Sequence, residues 1–299
     1  MNVDLDAAYA FLAGHGRMVD RHRLALVLGR GNPTAALAAV NTYRNADGGY
    51  GWGLEPDLRS TSSQPGGALH AFEVFADLAP VTAPEAAVLC DWLDAVSLPD
   101  GGLPFALPIV DPAACAPFWV DADPGVASLQ ITAVVAAEAH RVARHDPTVA
   151  GHPWLERATG YCLQASAELA AVPEPFAIEL AFAVRLLDVA APRYPTAAEL
   201  LPALGRHVPA NGLLPVVGGK EGETVRPLDY APHPDGPARG LISADVIAAE
   251  LERLAAQQRP DGGWEVDFTS YSPAAALEWR GHATVRALSV LAGNGMLSG

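Results

Sequence analysis

Apolar positions recur at intervals of three and four through long Ala/Leu-rich segments, the spacing of one face of a helix. Alternating β-branched runs, the mark of half-buried strands, are few. The helical segments are separated by loops rich in Gly and Pro. Four of these loops share a turn: Asp47-Gly48-Gly49-Tyr50, Asp100-Gly101-Gly102-Leu103, Asn211-Gly212-Leu213 and Asp261-Gly262-Gly263-Trp264. Each follows a helical segment and fits a terminator, because glycine tolerates the left-handed backbone of a helix end. The turns lie 53, 111 and 50 residues apart, the middle interval being close to two of the others. A degenerate repeat of this length has room for two helices and a loop.

The pattern predicts six helical hairpins. The first runs from Leu5 to Leu28. The second pairs Pro33–Asn45 with Pro65–Asp77, and the third Pro84–Ser97 with Gly125–Ala143. The fourth pairs Pro153–Ser166 with Pro175–Val189. The fifth opens with Thr196–Val208 and has a long, poorly helical second arm reaching Gly240. The sixth pairs Ser243–Gln258 with Arg280–Leu291. Several segments open on Pro at the first helical position, where its missing N–H costs nothing. An open row of hairpins would expose apolar faces at both ends. The expected architecture is therefore all-α: a single (α/α)6 toroid over residues 1–299, with long loops at one end. An open solenoid is the alternative.

Composition narrows the function classes. Of 299 residues half are hydrophobic and only 18% charged, which excludes disorder. The 34 acids against 19 bases give a net charge of −15, so no nucleic-acid partner is expected, since that needs a basic face. Cys90, Cys115 and Cys162 are odd in number and lack metal-ligand spacing, which reads as reduced thiols. Met1–Asp6 carries acids where a signal peptide needs positive charge, and no apolar run approaches the length of a membrane span. A cytoplasmic location is expected. The segments Leu103–Val110 and Leu213–Val217 are apolar enough for weak contact with a membrane surface, although the net charge opposes anionic lipids. The sequence leaves the oligomeric state open.

The loops hold the candidate chemistry, and loops this long are usually functional or disordered. Loop one offers Trp52, Glu55, Asp57 and Arg59: two carboxylates for acid–base work and a guanidinium to clamp an anion. Equally, Ser62 or Ser63 can cap the next helix while Asp57 and Arg59 pair. Loop two ends in Phe118-Trp119-Val120-Asp121-Ala122-Asp123-Pro124, where an Asp cap followed by Pro is the simplest reading. Loop five carries Asp229, Tyr230 and His233, either as a lid or as a plain surface loop. Loop six brings Phe268 and Tyr271 toward Trp279-Arg280-Gly281-His282, and aromatic faces of this kind either stabilise a cation or pack between hairpins.

The last repeat adds a resemblance. Gln257-Gln258-Arg259-Pro260-Asp261-Gly262-Gly263-Trp264 resembles the QW motif of squalene–hopene cyclases, in the superfamily that includes the protein prenyltransferase β-subunits. Asp47-Gly48-Gly49-Tyr50 is a weaker copy. The resemblance implies a terpenoid cyclase-like enzyme acting on a hydrophobic, isoprenoid small molecule by proton-initiated cyclisation or rearrangement. Asp121 and Asp123 are similar to the first and the protonating Asp of the class II cyclase DxDD motif, whose last Asp is Pro124 here. Asp57 or Glu55 is the next candidate acid. Trp52, Arg59, Phe118, Trp119, Tyr230, His233, Phe268, Tyr271, Trp279, Arg280 and His282 are the expected substrate contacts. His282 stands where the prenyltransferases place a zinc ligand. No cysteine here follows an Asp by two positions, so no metal is expected, and no cofactor either. Two alternatives stay open: a glycosidase or lyase with paired carboxylates on the same barrel, and a non-catalytic binding protein.

Overall fold

The computed structural model describes residues 3–297, so Met1 and Asn2 of the targeting read-out lie outside it. The chain is all-α. Its helices are α1 (Leu5–His15), α2 (Met18–Val27), α3 (Pro33–Asn41), α4 (Pro65–Asp77), α5 (Pro84–Val96), α6 (Pro117–Val120), α7 (Leu129–Ala143), α8 (Pro147–Ala150), α9 (Pro153–Ala170), α10 (Ala177–Ala190), α11 (Pro195–Gly205), α12 (Pro227–Tyr230), α13 (Ala244–Ala256) and α14 (Pro273–Gly293). Two-residue strands β1 (Leu214–Pro215) and β2 (Thr224–Val225) pair antiparallel in loop five. No helix among the described residues is long and apolar enough to cross a membrane.

Most predicted segments appear within a few residues of their expected ends. The caps explain the sharp starts: Asn32 accepts from the Thr34 and Ala35 N–H groups, and Pro33 sits at the first helical position. Two expectations fail locally. Helix α14 begins at Pro273, seven residues before Arg280, because Ser272 caps it and Ala274–Ala276 propagate it. Glu278 and Trp279 are thus helical. The second arm of the fifth hairpin keeps only α12 and a 3-10 turn, Pro237–Leu241, since Pro232, Pro234 and Pro237 interrupt any longer helix.

The most deeply buried helices lie mid-chain. Helices α4 and α7 are buried on nearly every side, with 11 of 13 and 12 of 15 residues inside, whereas α9 buries one stripe. Helix α2 packs on α4, α4 on α7, α7 on α10, and α10 on α12, while α14 packs on α2. An Arg286–Asp229 ion pair joins α14 to α12. Helices α1, α3, α5, α9, α11 and α13 each pack on one or more of these.

The four glycine turns are one structure repeated. In each, the Asp or Asn carboxamide or carboxylate oxygen accepts the N–H two residues on: Asp47 from Gly49, Asp100 from Gly102, Asn211 from Leu213 and Asp261 from Gly263. The glycine between has φ near +70° to +92°. The last turn also touches the first helix. Gln258 exchanges two hydrogen bonds with the Asp4 backbone, at 2.8 and 2.7 Å, and Trp264 is buried with its indole N–H on the Leu254 carbonyl.

Candidate functional site

Two loops predicted to carry chemistry do meet. Loop one ends above α4, where Asp57 is buried. Its two oxygens accept from the Tyr271 N–H (2.9 Å) and the Trp279 indole N–H (2.7 Å). Trp279 in turn lies edge-on to Phe268, His70 and His282. Phe118 meets Tyr271 edge-on at 5.5 Å, and Trp119 stacks on Phe105 at 4.4 Å. Phe105, Phe118, Trp119 and Tyr271 form one aromatic group and Phe268 and Trp279, with His70 and His282, a second, and Asp57 bridges the two through the Tyr271 N–H and the Trp279 indole. Trp119 keeps its indole N–H buried without a partner among the described residues.

Beneath the aromatics runs a line of alternating charges. Glu55 Oε2 meets His70 Nε2 at 2.8 Å, and His70 Nδ1 meets Glu73 Oε2 at 3.0 Å. Glu73 Oε2 also accepts from Arg23 at 2.8 Å. Arg23 binds Asp77 at 2.8 Å, Asp77 faces Arg141 at 3.7 Å, and Arg141 and Arg185 both bind Glu138. Helices α2, α4, α7 and α10 each contribute. His282 of α14 joins through Nε2, 3.0 and 3.2 Å from the two Glu73 oxygens.

The two histidines differ in charge for a visible reason. Burial alone would push His70 down, but Glu73 and Glu55 face its two nitrogens and raise it to about 9, so it is an imidazolium. His282 shares its one carboxylate with Arg23 and His70. Burial pushes it down, Glu73 pulls it up, and the nearby positive charges leave it below the ordinary histidine value. Burial pushes Glu73 up, yet the Arg23 guanidinium, the His70 imidazolium and the hydrogen bond from His282 hold it well below the usual carboxylate range. A carboxylate only accepts, so neutral His282 carries its proton on Nε2. Its Nδ1 has no hydrogen-bond partner among the described residues, and 11% of its side chain is open. By spacing alone His70, Glu73 and His282 could hold a cation, one ligand atom of each lying within 4.8 Å of the others. The Arg23 guanidinium already occupies that role.

Several expected roles need correction. Asp121 and Asp123 are exposed, and Asp123 accepts its own loop's Gly125 N–H at 2.8 Å. Neither is enclosed by the aromatic residues, so neither faces a dry site where an apolar substrate could lie. Burial pushes the Asp57 carboxyl up, but both oxygens are occupied, so it braces loop six and Trp279. Glu55 is likewise taken, by His70 and by the Asp57 N–H. Arg59 ties loop one to Glu278 at 2.6 Å. Trp52 is exposed, with its indole N–H on Asn45. Tyr230 is core, its hydroxyl donating to the Gly212 carbonyl. Arg280 clamps Asp261 and lies over Phe11. His233 is half-buried in the field of Arg141 and Arg185, away from the aromatic cluster.

Sequence reasoning missed His70, Glu73, Arg23, Asp77, Glu138, Arg141 and Arg185. Their signal was polar pairs three apart inside otherwise apolar helices, as in His70/Glu73 and Glu138/Arg141. A surface hollow of about 510 Å³ beside Val3–Asp6 and Arg30 shares no residue with this centre. Neither a protein-family model nor a curated protein matches the chain.

Proposed function

We propose that the helices close as an (α/α)6 toroid, and that the protein is an isomerase or lyase taking a proton from a small, apolar, unsaturated molecule. The packing of α2 on both α4 and α14 supports the closed ring, as do the Arg286–Asp229 link and the Gln258–Asp4 clasp. Three free thiols are in keeping with a reducing, cytoplasmic setting.

One observation carries the chemistry. Neutral His282, with Nε2 fixed by Glu73 and Nδ1 free, stands next to an aromatic cluster that suits an apolar substrate. This is the arrangement of a general base and its orienting carboxylate. The proton passes to His282 Nδ1 from a carbon next to a double bond that is conjugated to a carbonyl. The electron pair moves through the double bond onto the carbonyl oxygen as a dienolate, and Glu73 stabilises the imidazolium. Return of the proton at the far end of the conjugated system regenerates the carbonyl and completes an isomerisation. The resemblance to terpenoid cyclases supports an isoprenoid substrate. The chemistry moves from the acids of the sequence reading to a base, because those acids are either exposed or already hydrogen-bonded.

The test incubates the protein with α,β-unsaturated isoprenoid aldehydes and ketones, with prenyl diphosphates and polyenes beside them, in ²H₂O and follows deuterium in recovered material by mass spectrometry. Wild type and Asp123→Asn should incorporate label in one substrate, and His282→Gln should lose about 10²–10⁴-fold. Equal labelling by His282→Gln, or none by wild type across the panel, overturns the reading.

A further inference from the structure

Trp52, Trp264 and Trp279 each donate the indole N–H to a neighbour, whereas the buried N–H of Trp119 has no acceptor among the described residues. A donor left this way costs free energy, and folded proteins seldom keep one without a use. The ring is firmly held. It stacks on Phe105, Trp119 is only 7% exposed, and the Ala116 N–H ties the start of α6 to the Asp57 carbonyl at 2.8 Å. Its edge reaches the first turn of α4. A Cβ on Gly66 would lie 3.5 Å from Trp119 Cη2 and 3.3 Å from Glu55 Cγ, so glycine keeps room between them. More donors are unused there. No side chain caps α4, the Gln64 amide being taken up by Leu107. The buried Gly66 and Gly67 N–H groups have no acceptor among the described residues. Gly66 and His70 are four apart, hence on one face of α4 and about 6 Å from each other along its axis. Trp119 meets that face at Gly66. His282 meets it at His70, with ring centroids 5.1 Å apart, and at Glu73.

We propose that the Trp119 indole N–H, together with the first turn of α4, receives the carbonyl oxygen of the substrate, while His282 works further along the same helix face. The inference rests on the carbonyl-bearing substrate proposed above and names what selects it. Every unused group at this spot is a donor, so the ligand atom is an acceptor. The Glu55 carboxylate beside Gly66 disfavours a full anionic group such as a phosphate. Charge that gathers on the oxygen as the dienolate forms meets fixed donors and the positive end of a helix.

The experiment reads binding without turnover. The full chain is titrated by calorimetry with pseudoionone, a conjugated isoprenoid ketone, and with the hydrocarbon of the same skeleton that lacks the oxygen. Wild type should bind the ketone about tenfold more tightly than the hydrocarbon. Trp119→Phe keeps an aromatic ring against Phe105 and removes the N–H, so it should lose most of that preference while its affinity for the hydrocarbon holds. The infrared carbonyl band of bound ¹³C-labelled ketone should lie at lower wavenumber in wild type than in Trp119→Phe. Gly66→Ala suits a helix and fills the gap, so it should weaken the ketone more than the hydrocarbon. Trp52→Phe, at an exposed indole bonded to Asn45, should behave as wild type. Circular dichroism checks that the variants fold. Equal affinity of wild type for the two probes, binding of neither, or a preference undiminished in folded Trp119→Phe and Gly66→Ala overturns the receptor. Deuterium exchange without the preference leaves the His282 reading standing and sinks this one; the preference without exchange does the reverse.

Discussion

Glu73 is the residue on which most depends, since it neutralises Arg23 and His70 and orients His282 from a buried position. Glu73→Gln keeps the shape and removes the charge. Breaking a buried pair from one side costs about 3–5 kcal/mol, because the partner charge stays inside. Urea unfolding should show a loss of that order, against less than about 1 kcal/mol for Glu156→Gln in its exposed pair with Arg193. The histidines make stability depend on pH in opposite senses. His70 is raised, so its contribution is full below the unfolded value near 6.5 and is lost as pH rises toward about 9. His282 is lowered, so stability is lost as pH falls below that same value. The maximum should therefore lie near pH 6.5. Between pH 7 and 8.5 the decline should approach about 1.4 kcal/mol per unit, and His70→Gln should flatten that limb. A wild-type stability that holds level or rises from pH 7 to 8.5 would show that His70 is not an imidazolium. The window stops short of the buried thiols, whose titration burial displaces upward.

At the scale of elements, legibility followed local chemistry. Helix α4 is legible to the residue because Pro65 opens it and its apolar stripe runs to Asp77. The four glycine turns are legible because Asp or Asn before Gly encodes its own hydrogen bond. The site was half legible. The loop aromatics announce themselves, and they gather in two groups, Phe118, Trp119 and Tyr271 in one and Phe268 and Trp279 in the other. The catalytic-looking polar residues do not, since His70 and Glu73 lie three apart in a segment whose apolar spacing already explained it. What pairs them with Arg23 and His282 is contact between distant helices, which no local pattern records. The turn at Gly262 gives the sharpest test of the repeat. Its φ is +92°, and an added Cβ would lie 2.1 Å from the Ala7 carbonyl oxygen. Gly262→Ala should cost about 1–3 kcal/mol from strain alone. Gly160, mid-helix with open space around it, should tolerate or gain from Ala. Thermal unfolding should fall for Gly262→Ala and hold or rise for Gly160→Ala.

For the whole molecule the question is whether the first and last hairpins act as neighbours. In an open array α1 would be an end: it would exchange its amides early and ignore events near residue 258. In a closed ring it is held by Gln258, which caps the Asp4 backbone across 254 residues of sequence, and by the Gly262 turn lying on Ala7. Helix α14 packs on both α1 and α2, so the contact continues inward to Arg23 and the charge line. Removing the clasp should therefore be felt on both sides of the seam. Gln258→Ala removes two hydrogen bonds to α1, each worth about 1 kcal/mol. Hydrogen exchange followed by mass spectrometry should show faster exchange in α1 and in α13–α14 together, with α9 unchanged. Exchange that quickens only around residue 258, leaving α1 as in wild type, would mean that the ends merely touch. The distinction bears on the centre as well. The charge line is drawn from helices of the first and last hairpins along with the middle ones, and a seam that opened would separate His282 from Glu73.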